Sequence, residues 1–155
     1  MLELRDIRKT FNPGTVNEVR SLQGVSLTLE EGSFMIVLGT NGSGKSTLLN
    51  AVAGSFAVDE GSIHIDGTHV TRWEEHQRAR YIGRVFQNPF SGTAPSLSIA
   101  DNLALAARRG QSRGLGRALS SGNLQALREV VSGLGMGLEA RLDNMIGSLS
   151  GGQRQ

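Results

Sequence analysis

The chain is 155 residues long, room for one ordinary domain, and its 16 Lys and Arg nearly balance its 14 Asp and Glu, for a formal net charge of +2. So weak a bias gives no argument for a nucleic-acid partner, and 38% hydrophobic against 19% charged residues marks a globular chain rather than a disordered one. No apolar run nears the ~18 residues of a membrane span, nothing at Met1 reads as a secretory signal, and the lack of cysteine excludes a disulfide framework or thiolate metal site.

Leu2, Leu4 and Ile7 set the rhythm of a first strand that ends near Phe11, and Asn12-Pro13-Gly14 turns the chain. Val25, Leu27 and Leu29 alternate with Ser26 and Thr28, as in a half-buried strand. Residues 34–38 are a continuous apolar run, predicted to be a strand buried on both faces. A glycine-rich loop follows, then a helix carrying Leu48, Leu49 and Val52 on one side with Gly54 as its stop. Ile63 and Ile65 alternate with His64 and Asp66, and Asp66-Gly67 reads as a hairpin turn. Residues 81–86 form another short strand candidate.

The texture changes after Gln87. Residues 88–95 are loop-like, and Ser98 with Asp101 three positions on has the pattern of a capping box, a helix start. Ile99, Leu103 and Ala106 or Ala107 line one face of that helix, and Arg108-Arg109-Gly110 ends it. Residues 111–122 read as a surface loop whose Arg113 and Arg117, with Arg108 and Arg109, form a solvated basic stretch. Leu124, Leu127, Val131 and Leu134 make a second amphipathic helix ending near Gly135. Residues 1–87 therefore read as α/β and residues 88–148 as helical.

Glycine is the compositional outlier, with 21 residues against a usual share of ~7%. It clusters in Gly39-Thr40-Asn41-Gly42-Ser43-Gly44-Lys45-Ser46, which matches G-x-x-x-x-G-K-[ST] between a predicted strand and a predicted helix. Glycines let successive backbone N–H groups curl around a polyphosphate. The following helix adds its free N–H groups and positive dipole end. In that setting Lys45 is a point charge for the β and γ phosphates, Ser46 a hydroxyl for Mg²⁺, and Thr47 a hydroxyl for the α phosphate.

Two further segments narrow the reading: Val85-Phe86-Gln87-Asn88-Pro89, and the final Leu149-Ser150-Gly151-Gly152-Gln153-Arg154-Gln155. With Phe11 and the loop at residues 39–46, the chain resembles along its whole length the nucleotide-binding cassette of ATP-binding cassette (ABC) transporters. The resemblance implies an α/β P-loop NTPase cassette, with a RecA-like core whose N-terminal part is β-rich. It implies a division into a core at 1–87, a helical subdomain at 88–150 ending in the signature, and the start of a signature helix at 151–155. It implies that Phe11 stacks on adenine and that Gln87 reaches Mg²⁺ and the attacking water. Ser150, Gly151, Gly152 and Gln153 would contact a γ-phosphate held by a second cassette. Its cofactors would be ATP and Mg²⁺. Its partners would be a second, head-to-tail cassette, identical in the simplest case, transmembrane permease subunits, and an extracytoplasmic substrate-binding protein. The resemblance places the chain in the cytoplasm, peripheral on the inner face of the membrane, as the ATPase subunit of a bacterial importer of the amino-acid type.

The resemblance also implies parts that residues 1–155 do not contain: an apolar strand ending in Asp-Glu, then a switch histidine. Asp59-Glu60 precedes a turn glycine and is a poor substitute; Asp101 reads as a cap and Asp143 as a loop residue. His64, His69 and His76 all precede the signature and read as solvated surface residues. The chain is thus expected to be truncated after the signature. Residues 34–38 should have an unpaired edge and exposed apolar surface, and residues 150–155 are too short to form a helix unaided. Weak nucleotide binding and no turnover are expected of the chain by itself. Two other readings stand beside the transporter: a soluble ABC ATPase acting on ribosomes or DNA, and a nucleotide-binding module without catalysis. No heptad run separates the loop from the signature, which disfavours the DNA version.

Overall fold

A computed structural model describes residues 1–111 and 119–154. The chain divides into two compact units, Met1–Ile82 and Gly83–Gln155.

The first unit is built on a four-stranded antiparallel sheet in the order β2-β1-β3-β4. Its strands are β1 (Leu2–Phe11), β2 (Val19–Leu29), β3 (Glu60–Ile65) and β4 (Thr68–His69). Alternation in β3 aims Ile63 and Ile65 at one core, and the register shift between Leu4 and Ile7 in β1 turns both of those to the same core, where all four are buried. Helix α1 (Lys45–Ala53) adds Leu48 and Ala51 to it, while Leu49 is exposed. Gly54 ends α1 in the left-handed conformation, its N–H returning to the Ala51 and Asn50 carbonyls. The hairpin between β3 and β4 turns through Asp66 and Gly67, both at positive φ.

A second fixture of this unit is Arg78, the last residue of the short helix α2 (Glu75–Arg78) and only 1% exposed. Its guanidinium donates to the carbonyls of Ala51 and Val52 at 2.8 Å each, and to those of Trp73 and Thr71 at 2.9 Å each. The acceptors Ala51 and Val52 lie in the last turn of α1, where carbonyls lack intrahelical partners and the dipole is negative. Burial pushes the Arg78 pKa below its ordinary value.

The second unit packs helices α3 (Ile99–Ala107) and α4 (Ser121–Ser132) with 3-10 turns at Leu138–Ala140 and Ile146–Ser148. Ile99, Ala100, Val131, Leu138, Leu142, Ile146 and Leu149 form its core. The Ser98 cap is present as expected: Ser98 Oγ accepts the Asp101 N–H at 3.0 Å, and Asp101 Oδ2 accepts the Ser98 N–H at 3.3 Å. Helix α4 begins within the stretch expected to be loop and ends before Leu134, which is 59% exposed. Arg113 and Arg117 lie outside the described residues.

Two expected strands are not formed. Residues 34–38 have no assigned secondary structure and no strand pairing, with Phe34 and Leu38 each 86% exposed. A strand buried on both faces needs neighbours on both edges, and none of the four strands reaches it. The unpaired edge and exposed apolar surface foreseen for these residues are what is seen. Residues 81–86 are likewise without strand pairing, and Val85 is exposed.

Candidate functional site

Residues 39–44 form a turn in which the Ser43 N–H donates to the Thr40 carbonyl at 3.3 Å. Gly44, at φ 87°, is the N-cap of α1. A Cβ on Gly44 would also lie 2.7 Å from the Ser21 carbonyl oxygen, so β2 backs the loop closely. Ser21 fixes the next turn as well, donating from Oγ to Thr47 Oγ1 at 2.8 Å.

Lys45 closes the loop from within. Its Nζ donates to the Gly39 carbonyl at 2.8 Å, the Thr40 carbonyl at 2.7 Å and Ser43 Oγ at 3.4 Å. None of these acceptors is a carboxylate, so the ammonium charge stays unneutralised. The N-terminus of α1 has no side-chain cap and no acidic residue in its first turn. An uncapped helix N-terminus beside an uncompensated ammonium fits an anion with several oxygens, such as a polyphosphate. Asn41 and Ser46 are exposed at this site, where the Ser46 hydroxyl is open to a metal ion carried by the phosphates. Among the described residues no group of three His, Cys, Asp or Glu could hold a metal by itself.

Phe11 ends β1 half-buried, meeting Phe56 edge to face with ring centroids 5.4 Å apart and planes at 80°. Lys9 Nζ lies 5.6 Å from both ring centroids. Asp59 holds this arrangement, accepting from Lys9 Nζ at 2.7 Å and from the Thr10 N–H at 2.6 Å. Those two bonds, Lys9 first, keep the Asp59 carboxyl below the usual carboxylate range. Asp59 therefore braces the strand that carries Phe11.

The second unit holds the other motif residues. Gln87 is exposed. Asn88 beside it caps the 3-10 turn Pro89–Gly92, its Oδ1 accepting the Phe90 N–H at 3.0 Å. Ser150 and Gln153 cap each other: Ser150 Oγ accepts the Gln153 N–H at 3.4 Å, and Gln153 Oε1 accepts from Ser150 N and Oγ at 3.3 Å each. This starts α5 (Gly151–Arg154), one helical turn where none was expected unaided. The aid is tertiary, since Arg154 is buried and its Nη2 donates to the Ile146 carbonyl at 2.8 Å. A Cβ on Gly152 would meet nothing within 4 Å, so this face is open to close approach by a ligand.

The motif pattern missed Ser21, Phe56, Lys9, Asp59 and Arg154 as supports of these residues. Each acts across a long sequence separation or at a loop position, where periodicity carries no signal. His64 also departs from expectation. It is half-buried, stacked on His69 with centroids 4.8 Å apart, and its Nδ1 has no hydrogen-bond partner among the described residues.

The sequence profile of the family described as ABC transporter matches residues 22–155. The chain is 37% identical over 158 residues to the tyrosine transport ATP-binding protein of Clostridioides difficile (strain R20291), covering all of this chain and 61% of that one. It is 35% identical over 159 residues to the lipoprotein-releasing system ATP-binding protein LolD 1 of Caulobacter vibrioides (strain ATCC 19089 / CIP 103742 / CB 15), covering all of this chain and 64% of that one. Among solved structures, the ATP-binding cassette MJ0796 in a dimeric post-hydrolysis state bound to ADP and Pi matches with a TM-score of 0.74 and 28% identity, over 99% of this chain and 65% of that one. A nucleotide-free ATP-binding cassette from an ABC transporter matches with a TM-score of 0.74 and 26% identity, over 99% of this chain and 60% of that one. The chain thus spans less than two thirds of each of these relatives.

Proposed function

This chain belongs to the ABC transporter family and has the P-loop cassette fold, and from that premise we propose that it binds MgATP through residues 39–47 as the ATP-binding part of a membrane transporter's ATPase. The observation that carries this is the loop itself: Lys45, with no carboxylate partner among the described residues, beside the uncapped N-terminus of α1. Lys45 and the backbone N–H groups from Gly39 through Ser46 bind the β and γ phosphates. Thr47 reaches the α phosphate, and Ser46 supplies a ligand to Mg²⁺. When bound, that ion neutralises phosphate charge and orients the γ-phosphoryl group. Phe11 stacks on the base.

By the family resemblance Gln87 would reach Mg²⁺ and the attacking water, and Ser150, Gly151, Gly152 and Gln153 would serve the nucleotide of a second, head-to-tail cassette. The division into a core at 1–87 and a helical subdomain at 88–150 follows that sharing of roles. Coupling to permease subunits places the cassette on the inner face of a membrane. No helix among the described residues is long and apolar enough to cross one. The amino-acid type is supported by the named tyrosine transport relative, and import is the direction proposed for it. Residues 1–155 lack an apolar strand ending in Asp-Glu, so this stretch by itself binds nucleotide weakly and turns none over.

Titration with a fluorescent ATP analogue and Mg²⁺ tests the reading. Binding should be displaced by ATP and abolished by Lys45→Ala. Binding that is unchanged in Lys45→Ala, or phosphate release by residues 1–155 above that variant's level, would overturn the corresponding claim.

A further inference from the structure

The signature segment and the segment after Gln87 meet at the side chain of Arg154. Arg154 is 7% exposed, and its Nη2 donates to the Ile146 carbonyl. Its Nε and Nη1 have no hydrogen-bond acceptor among the described residues. A buried guanidinium with idle N–H groups is costly unless something else compensates its charge. Here the compensation is an aromatic face: the guanidinium carbon lies 4.2 Å from the ring centroid of Phe90. Phe90 is 57% exposed, so core burial does not explain its position. A second contact runs in parallel, with the Pro89 ring 3.6 Å from where a Cβ would stand on Gly151. Pro89 and Phe90 are the second and third residues after Gln87; Arg154 directly follows Gln153.

We propose that Arg154 is a positioning residue which, through Phe90, locks the Gln87 segment to the signature turn so that displacement of either moves the other. The proposal rests on the functional reading above for the roles of Gln87 and Ser150. The link itself rests only on geometry within the second unit. Charge alone does not supply it, because a lysine ammonium lacks the planar surface that lies on the ring.

Hydrogen exchange on the full gene product, without nucleotide, reads the link. Phe90→Leu should raise exchange about tenfold at the Arg154 amide, which donates to the Ser150 carbonyl. Arg154→Met should do the same at Ser91, which donates to the Asn88 carbonyl. Phe90→Tyr, which keeps the ring face, should restore protection, and amides of β1 and β2 should not change. With MgATP varied through saturation, Phe90→Leu and Arg154→Met should lower kcat about tenfold with KM unchanged, and the double variant should be no worse than either single one. If each segment responds only to a substitution within itself, or if Phe90→Tyr behaves as Phe90→Leu, the proposal is wrong. Reciprocal exchange effects in a gene product that neither binds nor hydrolyses ATP would keep the link and sink the functional reading.

Discussion

Strand β3, where Ile63 and Ile65 alternate with polar residues, and the continuous apolar run at residues 34–38 are segments of about the same length with opposite fates. Ile63 in β3 is fully buried between β1 and β4, whereas Ile36 is 65% exposed and has no strand beside it. Both runs have the composition of strands, and the second is the more hydrophobic. The difference is supply of partners: β3 finds β1 on one edge and the Asp66-Gly67 hairpin on the other. Apolar composition shows that a segment can be buried; a neighbouring strand decides whether it is.

Truncation at the two isoleucines tests that difference most strongly. Ile63→Ala should cost about 2–5 kcal/mol, because it opens a cavity in a core that cannot collapse around it. Ile36→Ala should fall within about 0.5 kcal/mol of the parent, since little packing is lost. Urea unfolding of residues 1–155 measures both. Equal losses would mean that residues 34–38 are packed in solution and that the contrast fails. A hydrophobic dye should also bind the parent and bind less to Ile36→Ser.

The paired region was legible because each of its signals is local. Alternation marked β1 and β3, Asp66-Gly67 marked the turn, Gly54 the end of α1, and Ser98 with Asp101 the start of α3. In the candidate site, the glycine-rich pattern marked the loop that leads into α1, whereas the mutual cap of Ser150 and Gln153 emerged only from the structure. What escaped the sequence was support at a distance. Ser21 reaches Thr47, Asp59 reaches Lys9 and Thr10, and Arg78 reaches four carbonyls, two of them in α1. Such contacts depend on which surfaces the fold brings together, and no period in the chain encodes that. The strands expected at 34–38 and 81–86 failed for the same reason in reverse, with local pattern present and the partner surface absent.

A smaller effect separates two glycines within the loop. Gly42 and Gly44 have nearly the same φ, 83° and 87°, but only Gly44 faces a backbone oxygen where a Cβ would go. Gly42→Ala should cost the left-handed strain alone, about 1 kcal/mol. Gly44→Ala should cost about 1–3 kcal/mol and also push β2 from the loop, lowering nucleotide affinity about tenfold or more. If the two variants bind nucleotide equally, close backing by Ser21 is irrelevant to the site.

The smallest expected effect lies at the brace of Phe11. Asp59 is held below the ordinary carboxylate value by Lys9 and the Thr10 N–H. A depressed folded pKa means that the contribution is complete above the unfolded value of about 3.9 and is lost as pH falls through the lower folded value. The parent should therefore lose stability in that acid window, while Asp59→Asn, lower at neutral pH, should show a flatter profile there. The gain is modest because the Asp59 side chain is 42% exposed and water screens its pairing with Lys9. Thermal melts of both proteins from neutral to acid pH measure the difference. Parallel profiles would mean that neither Lys9 nor the Thr10 N–H favours the charged carboxylate in solution, so that the brace is not formed there. In that case Phe11 is held by Phe56 and the strand, and Lys9 is free to turn toward a bound nucleotide.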